Sequence, residues 1–189
     1  MPEGFIVLTG GPGAGKTTLI EALAAEGYTT APEAGRGIIQ DQVAIDGQAL
    51  PWRDKALFAE MMLAADLATY RMRASRVQAG AEEGLVFFDR GIPDIAGYLT
   101  LSGLPVPGHV ERAITLCRYA GTVFMCPPWP EIYSGDKERK QSFAEAARTY
   151  EAMRATYSRY GYALAEVPRL PVAERMAFIL GAADKKRGR

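Results

Sequence analysis

A lysine and a threonine close a run of glycines near the start of the chain, Gly10-Gly-Pro-Gly-Ala-Gly-Lys-Thr17. The spacing, a glycine, four residues and then Gly-Lys-Thr, is that of a phosphate-binding loop. Glycines let consecutive amides turn inward around an anion, and the helix that follows offers unpaired N–H groups at its positive end. Gly11, Gly13, Ala14, Gly15, Lys16, Thr17 and Thr18 are therefore the candidate nucleotide-binding set. In this pattern Lys16 reaches the β- and γ-phosphates and the Thr17 hydroxyl ligates Mg2+. The competing reading is a glycine-rich turn capped by Thr17. The setting argues against it, because an apolar run, Phe5 to Thr9, precedes the loop and a helical pattern follows.

A second set of chemical residues lies where other apolar runs end. Gly84-Leu-Val-Phe-Phe runs into Asp89-Arg90-Gly91. A carboxylate at the end of a central strand is placed to engage magnesium, directly or through water. Arg90 then stands beside the transferred phosphate or the acceptor, where a guanidinium binds with two donors at once. An ordinary turn is the alternative. Pro32-Glu33-Ala-Gly-Arg36 follows the second strand, so Glu33 and Arg36 are candidates for the acceptor side; the alternative is a surface salt-bridging pair. Asp94 caps the next helix or contacts substrate. Arg139 and Lys140 sit in a dense mixed-charge stretch that either closes over the phosphates as a lid or forms a solvated helix start.

The elements that must hold these residues follow from periodicity. Short strands are expected around residues 5–9, 28–31, 85–88, 121–126 and 162–167, each followed by a helical pattern. A long helix is expected over 52–81, with Leu57, Met61, Ala65, Ala68 and Met72 as its buried stripe. Another buries Phe143, Ala147, Tyr150, Met153, Tyr157 and Tyr160, an aromatic stripe read as core rather than as a cofactor site. The last helix turns Val172, Met176, Ile179 and Leu180 inward. Strands alternating with helices imply a parallel α/β sheet covered on both faces. The pattern alone does not fix the strand order.

Totals exclude some functions. At 189 residues, one domain over 1–183 is expected, with a basic tail at 184–189 that is most simply frayed. Lys plus Arg equals Asp plus Glu, 22 each, so no charge excess points to nucleic acid. Cys117 and Cys126 are far apart in apolar surroundings, which suits buried filler and a reducing, cytoplasmic setting. No signal peptide and no membrane span is expected, because the apolar runs are short. His109, the single histidine, lacks metal-ligand spacing and reads as structural or surface.

Taken together, Thr9 to Thr18, Pro32 to Arg36, Phe88-Asp-Arg-Gly91 and Asp136 to Gln141 resemble the small P-loop kinases. That group includes nucleoside, deoxynucleoside and nucleoside-monophosphate kinases. A closer likeness is to the stand-alone bacterial AAA-family ATPase domains related to the ribosylnicotinamide kinase domain. The resemblance covers nearly the whole chain. It implies a three-layer P-loop NTPase sandwich with a five-stranded parallel sheet ordered 2-3-1-4-5 and a short lid segment. It also implies Glu33 as an acceptor-side base, Arg90 as the arginine after the strand-three carboxylate, Arg139 as the lid arginine, and adenine near Arg169 to Pro171. One departure stands out: deoxynucleoside kinases usually carry serine after that arginine, and here Gly91 follows it.

Two functions compete at this stage. The first is an ATP- and Mg2+-dependent kinase that moves the γ-phosphoryl group to a small hydroxyl-bearing acceptor. Lys16, Arg90 and Arg139 would stabilise phosphates, Thr17 and Asp89 would hold the metal, and Glu33 or Asp89 would accept the hydroxyl proton. The second is a nucleotide-dependent regulatory switch acting on a protein or lipid. The residues given contain no Asn-Lys-x-Asp guanine-reading motif, and no separate helical lid domain of the kind ring-forming AAA+ motors carry is expected within them.

Overall fold

Every residue of β1 (Phe5–Gly10) is buried. A strand apolar on both sides belongs in mid-sheet, and β1 lies between β3 (Val86–Asp89) and β4 (Thr122–Cys126). The computed structural model describes residues 4–82, 84–132 and 142–187, with side chains as far as residue 183. β2 (Thr29–Ala31) flanks β3 and β5 (Ala163–Glu166) flanks β4, all parallel, which gives the order β2-β3-β1-β4-β5. This is the order the resemblance implies.

Strand residues alternate between two cores, as the pleat requires. Phe5, Val7, Phe88, Val123 and Met125 face α3 (Lys55–Gln78), α4 (Ile92–Leu101), α5 (Gly108–Leu116) and α6 (Phe143–Arg159). Ile6, Leu8, Phe87 and Phe124 face α1 (Lys16–Ala25) and α7 (Val172–Arg187), where Leu19, Leu23 and Ile179 are fully buried. A third, smaller cluster joins α2 (Ala34–Ala44) to the start of α3 through Ile38, Ile39, Leu50 and Phe58. It forms the outer wall of the crevice described below.

Two expectations change. The long helix begins at Lys55 rather than Trp52, because the Asp54 carboxylate accepts from the Leu57 N–H at 2.9 Å and caps it. Its buried face is also rotated. Phe58, Ala59, Leu63 and Tyr70 are buried, whereas Leu57 and Met72 are 41% and 45% exposed. The helix carries apolar residues on more than one side, and aromatic anchoring selects among them. The Tyr70 ring meets Phe5 edge-on at 5.3 Å, and its hydroxyl donates to the Arg118 carbonyl at 2.7 Å. The true i, i+4 row is Phe58, Met62, Asp66, Tyr70, and the acid in its middle disguises it.

α6 buries Tyr150, Met153 and Tyr157 as its spacing predicts, but Phe143 at its first turn is exposed. That turn is fixed instead by a capping box. Glu145 N–H donates to Ser142 Oγ, and the Glu145 carboxylate accepts from Ser142 N–H at 2.6 Å. No helix among the described residues is long and apolar enough to cross a membrane.

Candidate functional site

The loop between β1 and α1 is shaped by close approach. A Cβ on Gly11 would lie 2.2 Å from the Ala146 carbonyl oxygen, so only glycine lets the loop pass beneath α6. Gly15 caps α1 in the left-handed region (φ 70°) and brings no side-chain cap to the first amides of that helix. Those amides are left to an anion. Lys16 is buried inside the loop and donates to the carbonyls of Gly11 at 2.7 Å and Gly10 at 3.4 Å. Burial, and then the nearby Arg90 cation, lower its pKa. An anion bound in the loop would oppose both effects by favouring the charged ammonium.

The Asp89-Arg90 step closes the other wall. Arg90 takes a left-handed backbone (φ 71°), with its N–H bonded to the Leu8 carbonyl at 2.9 Å. This turn aims its side chain back across the sheet end. There Nε pairs with Glu33 Oε1 at 3.2 Å and Nη1 with Asp94 Oδ1 at 3.0 Å. Burial works against the guanidinium's charge, but the carboxylates of Glu33, Asp94 and Asp89 outweigh it and hold the cation firmly.

Asp94 is the hub of the wall. It is buried, and its carboxylate accepts from Thr9 Oγ1 at 2.5 Å, Arg90 at 3.0 Å, Gly91 N–H at 3.0 Å and Tyr157 OH at 2.6 Å. Of the two roles the sequence allowed it, the structure shows the cap on α4. The same hub explains Gly91. A Cβ there would come within 3.0 Å of the Tyr157 hydroxyl and 3.0 Å of the Tyr119 ring. A serine in this place would press on the Tyr157–Asp94 hydrogen bond.

Asp89 differs from its neighbours. It is buried, burial raises its pKa, and Oδ1 has no hydrogen-bond partner. A buried carboxylate oxygen without a donor suits a cation. With the Thr17 hydroxyl at the start of α1, the residues present fit Mg2+. Among the described residues no cluster of three or more His, Cys, Asp or Glu side chains could hold a metal by itself. A magnesium ion here would rely on phosphate oxygens for most of its ligands.

Two cavities meet at Arg90. A cleft of about 560 Å³ runs over the phosphate loop and is lined by Gly13, Gly15, Lys16, Thr17, Thr18 and, further out, Pro171. A second cavity of about 450 Å³ lies on the far side, between α2, α3, α4 and α6. Pro12, Glu33 and Arg90 border both. Asp94 lines only the second cavity, and Arg36 only the first. Glu33 and Arg36 line the first cleft together, and only Glu33, the residue before α2, also reaches the second cavity. Gly11 and Ala14 do not line the cleft surface: Gly11 passes under α6, and the Ala14 carbonyl accepts from Arg175. Arg139 and Lys140 lie outside the described residues.

A family model described as AAA domain matches residues 5–175. The chain belongs to this AAA-domain family. Among solved structures, thymidylate kinase from Ehrlichia chaffeensis superimposes with a TM-score of 0.60 at 15% identity, over 96% of this chain and 98% of that one. Deoxyadenosine kinase from M. mycoides, solved with dCMP and a flexible dCDP, gives 0.59 at 13% identity over the same shares. The same kinase with dATP gives 0.54 at 17% identity, over 95% of this chain and 98% of that one. At these identities the likeness is one of fold. No curated protein sequence matches the chain.

Several residues of the AAA-domain site escaped the sequence reading. Arg175 is 2% exposed, donates through Nη2 to the Ala14 carbonyl at 3.0 Å, and lies 5.6 Å from the Trp129 ring centroid. Both line the phosphate-loop cleft. The available signal was an arginine set among the inward positions Val172, Met176 and Ile179. Tyr157 was read as core alone. Asp66 interrupts the apolar row of α3, and nothing in its local sequence marks it out.

Proposed function

We propose that the chain is an ATP- and Mg2+-dependent phosphotransferase, which moves the γ-phosphoryl group to the hydroxyl of a small acceptor. One observation supports this most: Arg90, gripped by Glu33 and Asp94, forms the shared border of two cavities. A transferred phosphoryl group must pass between a donor and an acceptor with cationic support at the point of passage. A nucleotide switch has no need of a second cavity of this size.

In this reading ATP lies in the 560 Å³ cleft, with its phosphates in the loop formed by Gly11 to Thr18. Its base sits toward Trp129, Pro171 and Arg175. Lys16 and Arg90 hold charge on the transferred group. Thr17 and Asp89 hold magnesium, which supplies charge neutralisation on the phosphate oxygens when bound. Glu33 is favoured over Asp89 as the proton acceptor, because Glu33 borders both cavities and Asp89 borders neither. Arg139 would act from the lid side, and Arg36 from the mouth of the cleft.

The test is a panel of nucleosides, nucleotides, sugar alcohols and amino alcohols incubated with ATP and Mg2+. ADP release that depends on one acceptor, with a phosphoryl mass gain on that acceptor, is the expected result. Hydrolysis at the same rate with every acceptor and with none overturns the proposal.

A further inference from the structure

The cavity beyond Arg90 contains one acid that the fold does not use. Asp66 lies in the middle of α3 and lines the cavity beside Ile39, Phe58, Met62 and Ile95. Among the described residues its carboxylate has neither a hydrogen-bond donor nor an ion-pair partner. The other charges around the cavity are accounted for. Glu33 and Asp94 hold Arg90, and Glu145 caps α6 on Ser142. Lys55 and Arg148 are exposed at the rim.

An unpaired acid among apolar walls is costly to keep. Burial pushes the Asp66 carboxyl up to about 7, Asp94 and Glu33 push it the same way, and Arg90 opposes them. The aromatic residues Trp52, Phe58 and Tyr98 also line the space, with Phe58 and Tyr98 edge to face at 5.5 Å. One unspent carboxylate among aromatic rings is the complement of a cation, which gains from both the opposite charge and the ring faces. A neutral hydroxyl or amide would leave the carboxylate's charge unbalanced.

We propose that Asp66 is the specificity-determining residue of this cavity, and that its ligand is a small hydroxyl compound carrying a positively charged nitrogen. The nitrogen docks on Asp66, and the hydroxyl lies toward Glu33 and Arg90. The inference rests on the second cavity being the acceptor site of the proposed phosphotransferase.

Equilibrium binding by calorimetry tests it with two matched pairs that differ at the nitrogen: choline against 3,3-dimethylbutan-1-ol, and phenylalaninol against 3-phenylpropan-1-ol. At pH 8 the cationic member of at least one pair should bind tenfold or more tightly than its neutral partner. Asp66→Asn should bring that pair within threefold, and Asp66→Glu should keep the preference. The wild-type preference should fall as pH drops from 8 to 6, while the Asn variant stays flat. ATP-induced thermal stabilisation of both variants serves as the control for folding. Equal or tighter binding of the neutral compounds, no binding by any of the four, or a preference that survives Asp66→Asn overturns the proposal. A preference that depends on Asp66 but comes without phosphorylation of any acceptor removes the kinase reading and leaves the Asp66 assignment standing. Acceptor turnover indifferent to Asp66 does the reverse.

Discussion

Lys16 is held in place by the backbone it serves. Its ammonium is buried against the carbonyls of Gly10 and Gly11, and burial together with Arg90 lowers its pKa. Binding of a triphosphate relieves that cost, so much of the stabilisation by ATP should pass through this one side chain. Lys16→Ala is expected to abolish the ATP-induced rise in Tm while leaving the unliganded Tm within a few degrees. A thermal shift equal to wild type would remove the loop from the nucleotide site. At this scale the sequence was legible where chemistry sits next to a strand end, as at Lys16, Thr17, Asp89 and Arg90. It was illegible where a residue's role depends on a distant partner. Nothing local shows that Arg175 meets Ala14, 161 positions away, or that Tyr157 meets Asp94.

At the scale of elements, α3 carries the clearest conflict between pattern and place. Its inward row includes a half-buried acid, and the charged form of Asp66 is disfavoured there. The folded carboxyl binds its proton up to about pH 7, whereas the unfolded chain releases it near 3.8, the ordinary aspartate range. Between those values the native state holds more protons than the unfolded state, so this group makes stability fall as pH rises, and the loss is complete above about pH 8. Asp66→Asn should therefore gain on wild type between pH 4 and pH 7. The gain should level off at about 2–3 kcal/mol, allowing for partial solvent access at roughly 1.4 kcal/mol per tenfold change in proton affinity. Urea melts of the two proteins at pH 4, 6 and 8 check this, and a constant offset would contradict it. The strands and the helix types were readable because period-2 and period-3.6 patterns are strong in this chain. The rotation of α3 was not, because several of its faces are apolar and only aromatic contacts across the sheet decide between them.

Across the whole molecule, one carboxylate ties three layers together. Asp94 on α4 takes hydrogen bonds from Thr9 on β1, Arg90 after β3 and Tyr157 on α6. Tyr157 is fully buried, and burial together with Asp94 holds its hydroxyl protonated well above the usual range. Tyr157→Phe removes one donor and leaves the others in place. It should cost about 1–2 kcal/mol in urea unfolding and lower turnover more than it weakens ATP binding, because the loss falls on the placement of Arg90. Unchanged turnover in a destabilised variant would restrict Asp94 to a structural role.

The common wall at Arg90 has a consequence for how two ligands would share this protein. A guanidinium clasped from behind by Glu33 and Asp94 has little freedom to serve one cavity without adjusting to the other. If a ligand in the cleft shifts the affinity of the far pocket through this side chain, linkage requires that a ligand in the far pocket shift the affinity of the cleft by the same factor. A shared wall thus makes affinity in one compartment a readout of occupancy in the other.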